Sequence, residues 1–335
     1  MELKTPYLLF LGDVPDALAA KTALGIVDWR PEWCIGQLRL PGCKADCGVP
    51  DLSLDEAREK GVQTMVIGVV NAGGVLPDHW VDTVVAALEA GLDVASGLHK
   101  KLESNERIKA AAEANGRTLH NVRHSDRTFD TGKGTKRRGK RVLAVGTDCS
   151  VGKKYTALAL EKAMRARGMD ADFCATGQTG IFISGRGVSI DAVVADFIAG
   201  AAEWISPAAE SDDHWDVIEG QGSLFHPSFA GVSIGLLHGS QPDALIICHE
   251  PTRTTMRGVA TPLPSIQQVI DLNLSCARLT NPNVRCAGIA VNTQALAEDE
   301  ARAYLAGLSS EYGLPATDPV RFGMDEIAAK LQDDF

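Results

Sequence analysis

The sequence predicts an α/β protein with two parallel-sheet domains, and three observations carry that expectation. Short apolar runs bounded by Gly, Asn or Asp recur along the chain, amphipathic stretches at helical spacing separate them, and a polar tract near the middle divides the pattern in two. A chain of 335 residues is long enough for two domains of ordinary size, each burying its own core. Apolar residues at 45% with 33 glycines suit this class, and no apolar run reaches the roughly 18 to 20 residues of a membrane span. A formal net charge of -10 argues against a general nucleic-acid surface, leaving room for local basic pockets that take small anions. The N-terminal apolar run 7–11 is too short for an export signal and runs into Asp13. The eight cysteines accordingly read as reduced thiols. A cytoplasmic homo-oligomer acting on a small molecule, with no membrane or nucleic-acid partner, is the expectation.

In the first half, residues 7–11 and 64–70 read as buried parallel strands, each closed by a Gly or Asn turn and followed by helical periodicity. Residues 78–90 form a helix with Val81, Val84, Val85 and Leu88 on one face, and Asp93–Ser96 is a further short strand. Residues 1–125 are therefore expected to be a Rossmann-like domain. The N-A-G-G tract at 71–74 closes a strand where open α/β sheets hold ligands, but G-x-G-x-x-G is absent, so a structural turn is the favoured reading. The S-G-L-H-K-K tract at 96–101 presents Lys100 at a sheet edge, with a solvated helix start as the equal alternative. Cys34, Cys43 and Cys47 lack a C-x-x-C pair and a nearby His, so no metal site is expected.

Residues 126–140, nearly devoid of apolar side chains, read as the linker, its basic run 136–141 as solvated. The second domain, 141–335, alternates strands at 142–145, 173–176, 216–218, 244–247 and 287–291 with helical stretches, including one expected at 190–203. That is the pattern of a doubly wound parallel sheet of the P-loop NTPase-like kind. Its strongest feature is the strand-to-helix run V-L-A-V-G-T-D-C-S-V-G-K-K-Y-T. Gly146 and Gly152 let backbone N-H groups curl around phosphate oxygens, a helix start adds positive potential, and Lys153 adds charge. Gly146, Thr147, Asp148, Cys149, Ser150, Val151, Gly152, Lys153, Lys154, Tyr155 and Thr156 are thus the candidate cofactor-binding loop. Two departures stand out: five residues separate the glycines, and Lys154 replaces the hydroxyl that would hold Mg²⁺. Lys154 would repel a divalent ion, so the loop reads as a holder of a diphosphate rather than a phosphoryl-transfer engine. Thr156, further into the helix, keeps a metal-bound alternative open. Cys149, near a helix start, is where a thiol pKa tends to fall, though a loop-filling role is favoured.

The loop is similar to G-T-D-x-x-V-G-K-T of dethiobiotin synthetase and its P-loop ligase relatives. Glu219 ends the 216–218 strand in E-G-Q-G, similar to the E-G of those ligases. Together with A-T-G-Q-T-G, I-D-A-V-V-A-D-F, I-E-G-Q-G-S-L-F-H-P, V-N-T and D-P-V-R, the chain resembles, essentially end to end, a bacterial and archaeal family formerly of unknown function. Its characterised members are D-glutamate N-acetyltransferases of the DgcN type. The resemblance implies transfer of acetyl from acetyl-CoA to the amine of an acidic D-amino acid; the alternative is an ATP- and Mg-dependent ligase or kinase of the dethiobiotin synthetase type.

Acetyl transfer needs a base for the substrate ammonium, an oxyanion donor, and cations for two carboxylates. Glu219 and His226 share one loop and are base candidates, with Asp196 a weaker third, although a lone His is more often structural. Arg253 and Arg257, beyond the 244–247 strand, are placed to fork onto substrate carboxylates, surface ion pairing being the equal alternative. Gln178 and Thr179 follow the second strand, where the ligase relatives bind substrate, and their Gly-containing turn offers N-H donors. Asn292 resembles the residue that reads adenine in those relatives, and 318–321 is expected to cap the same pocket.

Overall fold

A computed structural model describes residues 3–17, 19–69, 74–124 and 127–335. Two compact units emerge, one of Met1–Arg127 with Gly177–Ser189, the other of Thr128–Thr176 with Ile190–Phe335. Among the described residues no helix is long and apolar enough to cross a membrane.

The first unit carries β1 (Tyr7–Gly12), β2 (Cys34–Arg39), β3 (Thr64–Ile67), β4 (Asp93–Ser96) and β5 (Leu119–Asn121), all parallel in the order β2-β1-β3-β4-β5. Strands buried on both faces read as continuous apolar runs, and β1 and β3 are buried at every position. The order reverses direction between β1 and β3, so a crevice opens beyond their C-terminal ends. Helix α1 (Lys21–Trp29) starts there, where Ala23 N donates to Gly68 O at 2.9 Å. Helix α2 (Leu54–Glu59) starts from a capping box on Ser53 and Glu56. Helix α3 (Val81–Glu89) buries Val81, Val84, Ala87 and Leu88, while Val85 is only half-buried; the first turn expected of it is a separate 3-10 turn, Asp78–Trp80. Helix α4 (Glu106–Asn115) is capped by the Asn105 side chain and ends at Gly116, φ 59°. The expected strand at 64–70 stops at Ile67, and Val70 with residues 71–73 of the N-A-G-G tract lies outside the described residues.

The second unit carries β6 (Lys140–Gly146), β7 (Ala171–Cys174), β8 (Trp215–Ile218), β9 (Ala244–His249), β10 (Arg285–Val291) and β11 (Ala316–Thr317), parallel in the order β11-β10-β9-β6-β8-β7. Register aligns the strand ends: Leu143 faces Ile218 and Gly146 faces Cys248, so the residues that follow β6, β8 and β9 share one edge. Helix α5 (Lys153–Ala166) follows β6 directly. Helices α7 (Ile198–Ile205), α8 (Ala230–Ser240), α9 (Ile266–Ala277), α10 (Glu298–Tyr312) and α11 (Asp325–Asp334) complete the layers. Part of the core joins Ile247, Ile289 and Val291 of the sheet to Val269 of α9 and Leu305 of α10.

Three expectations are corrected. The Gly-containing turn expected at Gln178 and Thr179 is instead the start of helix α6 (Gln178–Ser184), whose Ile181, Phe182 and Ile183 are buried within the first unit. There Tyr7 donates its hydroxyl to Phe182 O at 3.4 Å. The helix expected at 190–203 is two 3-10 turns, Ile190–Ala192 and Ala195–Phe197, followed by α7; the β-branched pair Val193 and Val194 separates them, Val194 being extended. The basic run 136–141 is not solvated throughout. Arg141 is fully buried and Arg137 largely so, their guanidiniums donating to backbone carbonyls that include Ser206 O, Gly239 O and Pro207 O. Asp126 of the expected linker lies outside the described residues.

Candidate active site

The phosphate loop is built from the end of β6 outward. Gly146 must be glycine, because a Cβ there would lie 2.8 Å from Cys248 O. Ser150, exposed, takes φ 55°, and Gly152 takes φ 99° before α5 begins. Thr156 N donates to Gly152 O, so N-H groups in the first turn of α5 lack intrahelical acceptors, as at any helix start. Lys153 is 6% exposed, and its ammonium donates to Asp148 O at 2.7 Å, inside the loop. Burial pushes its pKa down. Lys154 is half-buried, its ammonium 4.7 Å from the Tyr155 ring centroid.

The missing partner charge comes from the segment after β9. Asp148 is fully buried, and its carboxylate accepts from Arg253 Nη1 at 2.7 Å, Arg257 N at 2.7 Å and Cys149 N at 2.6 Å. Arg253 also donates to Cys149 O at 2.7 Å and pairs with Glu250 at 3.4 Å; Arg257 Nη1 donates to Ser150 Oγ at 2.6 Å. Both arginines, expected to fork onto substrate carboxylates, are thus tied to the phosphate loop. Arg253 has its donors committed to it, while Arg257 reaches the exposed Ser150 at its mouth. Thr147 Oγ1 lies 3.2 Å from His249 Nδ1, and burial pushes the pKa of that imidazole down.

Glu219 follows β8 and is 4% exposed. Its Oε2 accepts from Thr176 N at 3.0 Å, Thr176 Oγ1 donates to Glu219 O at 2.7 Å, and Gln221 Nε2 donates to Thr176 Oγ1 at 3.0 Å. A Cβ on Gly220 would stand 1.6 Å from Ala144 O and 3.0 Å from Lys153 Cδ, so this turn is pressed against β6 and the lysine stem. His226 is 1% exposed; Ser228 N donates to its Nδ1 at 3.1 Å, and its Nε2 lies 3.0 Å from Arg257 O. Both ring nitrogens are engaged, which makes the imidazole a brace for Arg257 rather than a poised proton acceptor. Asp196 is exposed on the 3-10 turn before α7.

Two further expectations change. Cys149 has its pKa raised, burial outweighing the helix start and Lys153. Thr156, the reserve metal ligand, is 2% exposed and accepts from the Cys248 thiol at 3.4 Å. One carboxylate oxygen of Asp148, Cys149 Sγ and a His226 nitrogen lie within 4.8 Å of one another. The Arg253 guanidinium already holds that carboxylate and the Lys153 ammonium holds the Asp148 carbonyl, so a divalent ion would have to displace or face these cations.

At the β10 end, Asn292 Oδ1 accepts from Gln294 N at 3.2 Å, and Thr293 donates its hydroxyl to Asp318 Oδ2 at 2.6 Å. Arg321 Nη1 donates to Thr293 O at 3.0 Å and Leu296 O at 3.0 Å, so 318–321 clamps this corner. Gln178, Thr179 and Lys100 belong to the first unit. There a Cβ on Gly97 would meet Gln178 Oε1 at 2.0 Å, which sets Gln178 against the S-G-L-H-K-K turn, where Lys100 is exposed.

Sequence reasoning missed Asp148 as the hub of this site. The signal was an acidic residue inside an anion-binding loop, which requires cations from elsewhere to offset it.

A family model described as a domain of unknown function, DUF1611_C, P-loop domain, matches residues 128–328, and its companion DUF1611_N, a Rossmann-like domain, matches 38–125. The chain is 54% identical over 330 residues, 98% of its length and 99% of the relative's, to a D-glutamate N-acetyltransferase of Tritonibacter scottomollicae. It is 52% identical over 332 residues, 99% of its length and 100% of the relative's, to one of a Pseudoalteromonas species. The crystal structure of a DUF1611 family protein from Anabaena variabilis superposes with a TM-score of 0.85 at 32% identity, covering 99% of this chain and 100% of that one. Fold, loop and end-to-end similarity agree: the chain belongs to the DUF1611 family, with a Rossmann-like N-terminal and a P-loop C-terminal domain.

Proposed function

We propose that the chain is a D-glutamate N-acetyltransferase that takes its acetyl group from acetyl-CoA, held by the phosphate loop without a divalent cation. The acceptor rests on the D-glutamate N-acetyltransferases it matches end to end at 52 to 54% identity. The observation that carries the coenzyme assignment is the charge arrangement: Lys153 inside the loop and Arg257 at its mouth. Phosphoryl transfer needs a metal to bridge and neutralise phosphates. A diphosphate that is only held needs the loop N-H groups, a helix start and fixed cations.

In the reaction the amine nitrogen attacks the thioester carbonyl carbon, the C-S bond breaks, and coenzyme A leaves as its thiolate. The ammonium must first lose a proton. Glu219, His226 and Asp196 are the candidate bases of the second unit: Glu219 is buried with Oε2 bonded to Thr176 N, His226 has both nitrogens engaged, and Asp196 is exposed. The thiolate is reprotonated by the proton released. Lys153, freed from Asp148 O by the incoming phosphate, supplies charge at the diphosphate. Arg253 and Asp148 position the loop, Thr147 and His249 support it, and Asn292 is the candidate for the adenine edge on its resemblance to the ligase relatives. Gln178, Thr179 and Lys100 remain candidates for the amino acid.

Calorimetry with acetyl-CoA and with Mg-ATP, followed by a coupled thiol-release assay with D-glutamate and L-glutamate, tests this reading. Acetyl-CoA binding in EDTA with D-glutamate-dependent thiol release is expected. Mg-ATP binding and turnover with no response to acetyl-CoA would overturn it in favour of a ligase or kinase.

A further inference from the structure

The first unit carries a constellation that none of the roles above uses. Asp13 follows β1 directly, at the edge where the strand order β2-β1-β3 reverses. Its Oδ1 accepts from Trp80 Nε1 at 2.8 Å and its Oδ2 lies 3.0 Å from His79 Nε2. Trp80 is 2% exposed and fixed: its ring packs edge-on against Phe10 at 5.3 Å and lies so close over Gly12, φ 57°, that a Cβ there would fall 2.1 Å from it. The polar side chains are accessible by contrast, Asp13 at 39% and His79 at 59%. A buried indole thus holds a solvent-facing carboxylate in one orientation at the topological switch point.

Backbone contacts fix the chain on either side of this group. The segment after β2 flanks one side, with Leu40 N donating to Gly12 O at 2.8 Å and Lys44 N to Val14 O at 2.9 Å. On the side of β3, Gly68 packs against Ala23 in the first turn of α1, a Cβ there standing 2.5 Å from Ala23 Cβ. The neighbouring Thr22 is 2% exposed, and its hydroxyl has no hydrogen-bond partner among the described residues. A buried hydroxyl left without a partner is costly unless something completes it. The hydrogen bonds from Trp80 and His79 hold the Asp13 carboxyl below the usual carboxylate range, so it stays ionised.

We propose that Asp13 and His79 form the receptor for the ammonium group of the amino-acid acceptor, at the C-terminal edge of the first unit's sheet. Asp13 supplies the negative charge. His79, its Nε2 3.0 Å from that carboxylate, stands beside it with Trp80 as the second brace. The arrangement suits a primary ammonium, which offers only donors, and is wrong for a carboxylate or phosphate. It rests on the acceptor reading given above and adds to it where the amine is held.

Calorimetry of the full chain with three probes tests the assignment: D-glutamate, glutarate, which has the same dicarboxylate skeleton without the amine, and acetyl-CoA. Asp13→Asn keeps an oxygen for Trp80 while removing the charge. It is expected to weaken D-glutamate about tenfold or more and leave glutarate and acetyl-CoA unchanged. Unchanged D-glutamate affinity, or equal loss of D-glutamate and glutarate, overturns the site. If Asp13→Asn does not fold, the decision passes to His79→Ala at an exposed position: selective loss of D-glutamate supports the site and unchanged affinity overturns it. A wild-type chain that neither binds nor acetylates D-glutamate overturns the acceptor reading together with this site, whereas a variant without effect in an active enzyme overturns this site alone.

Discussion

The C-terminal edges of the two parallel sheets are built on opposite principles. In the second unit the candidate charges are tied to one another: Asp148 is fully enclosed, Lys153 nearly so, Arg253 is half-buried on Asp148, and only Arg257, bonded to Ser150, stands exposed among these four. In the first unit the charged groups stand in solvent and only their support, Trp80, is buried. Open parallel sheets direct ligands to this edge whatever their charge; side chains decide the sign. Cations fixed in a low-dielectric loop suit a polyanion that has to be gripped, and an accessible carboxylate suits a small cation that must come and go.

The contrast can be broken most severely at Lys153. Lys153→Ala is expected to lower acetyl-CoA affinity by about a hundredfold, because a buried ammonium is lost from the loop, as read by calorimetry, with D-glutamate affinity preserved. Asp148→Ala should be the most destabilising change at this edge, about 3 kcal/mol in denaturant unfolding, because it leaves Arg253 beside an emptied site. Gly220→Ala forces a Cβ against the Ala144 carbonyl and is expected to cost about 1 to 3 kcal/mol while weakening coenzyme binding through the Lys153 stem.

Smaller effects sharpen the comparison. His226→Gln should lower the unfolding free energy by about 1 kcal/mol and leave the shape of the pH profile of kcat/KM unchanged, since the ring braces Arg257. A profile that loses its acidic limb would return His226 to the role of base. Acetyl-CoA affinity should also fall as pH rises, because the loop needs the protonated lysine and burial lowers the pKa of Lys153. The fall should begin below the range of an ordinary lysine, and Lys153→Gln should abolish it.

Much of the second unit was legible in the sequence because its local signals agree. An apolar strand, a glycine-bracketed loop and a helical repeat specify β6 and α5, and the strand-end carboxylate specifies Glu219. What was not legible depends on long-range packing. Nothing local in Gln178–Ser184 says that Ile181, Phe182 and Ile183 bury themselves in the first unit. A run of arginines reads as solvated until backbone carbonyls at 206, 207 and 239 are seen to receive them. The sequence left ion pairing and substrate binding equal for Arg253 and Arg257 because Asp148, which takes the Arg253 guanidinium and the Arg257 backbone N-H, is more than a hundred residues away. Asp13 and His79 carried no motif, being separated by 66 positions and joined only by the switch in strand order.

The central claim is that fixed side-chain cations, and no divalent metal, hold the coenzyme in the phosphate loop. Acetyl-CoA titrated into the full chain in EDTA and then in excess Mg²⁺ tests it most directly. The same dissociation constant in both buffers, lost in Lys153→Ala, is the outcome expected. Binding that appears only with Mg²⁺, or that survives Lys153→Ala, would contradict it.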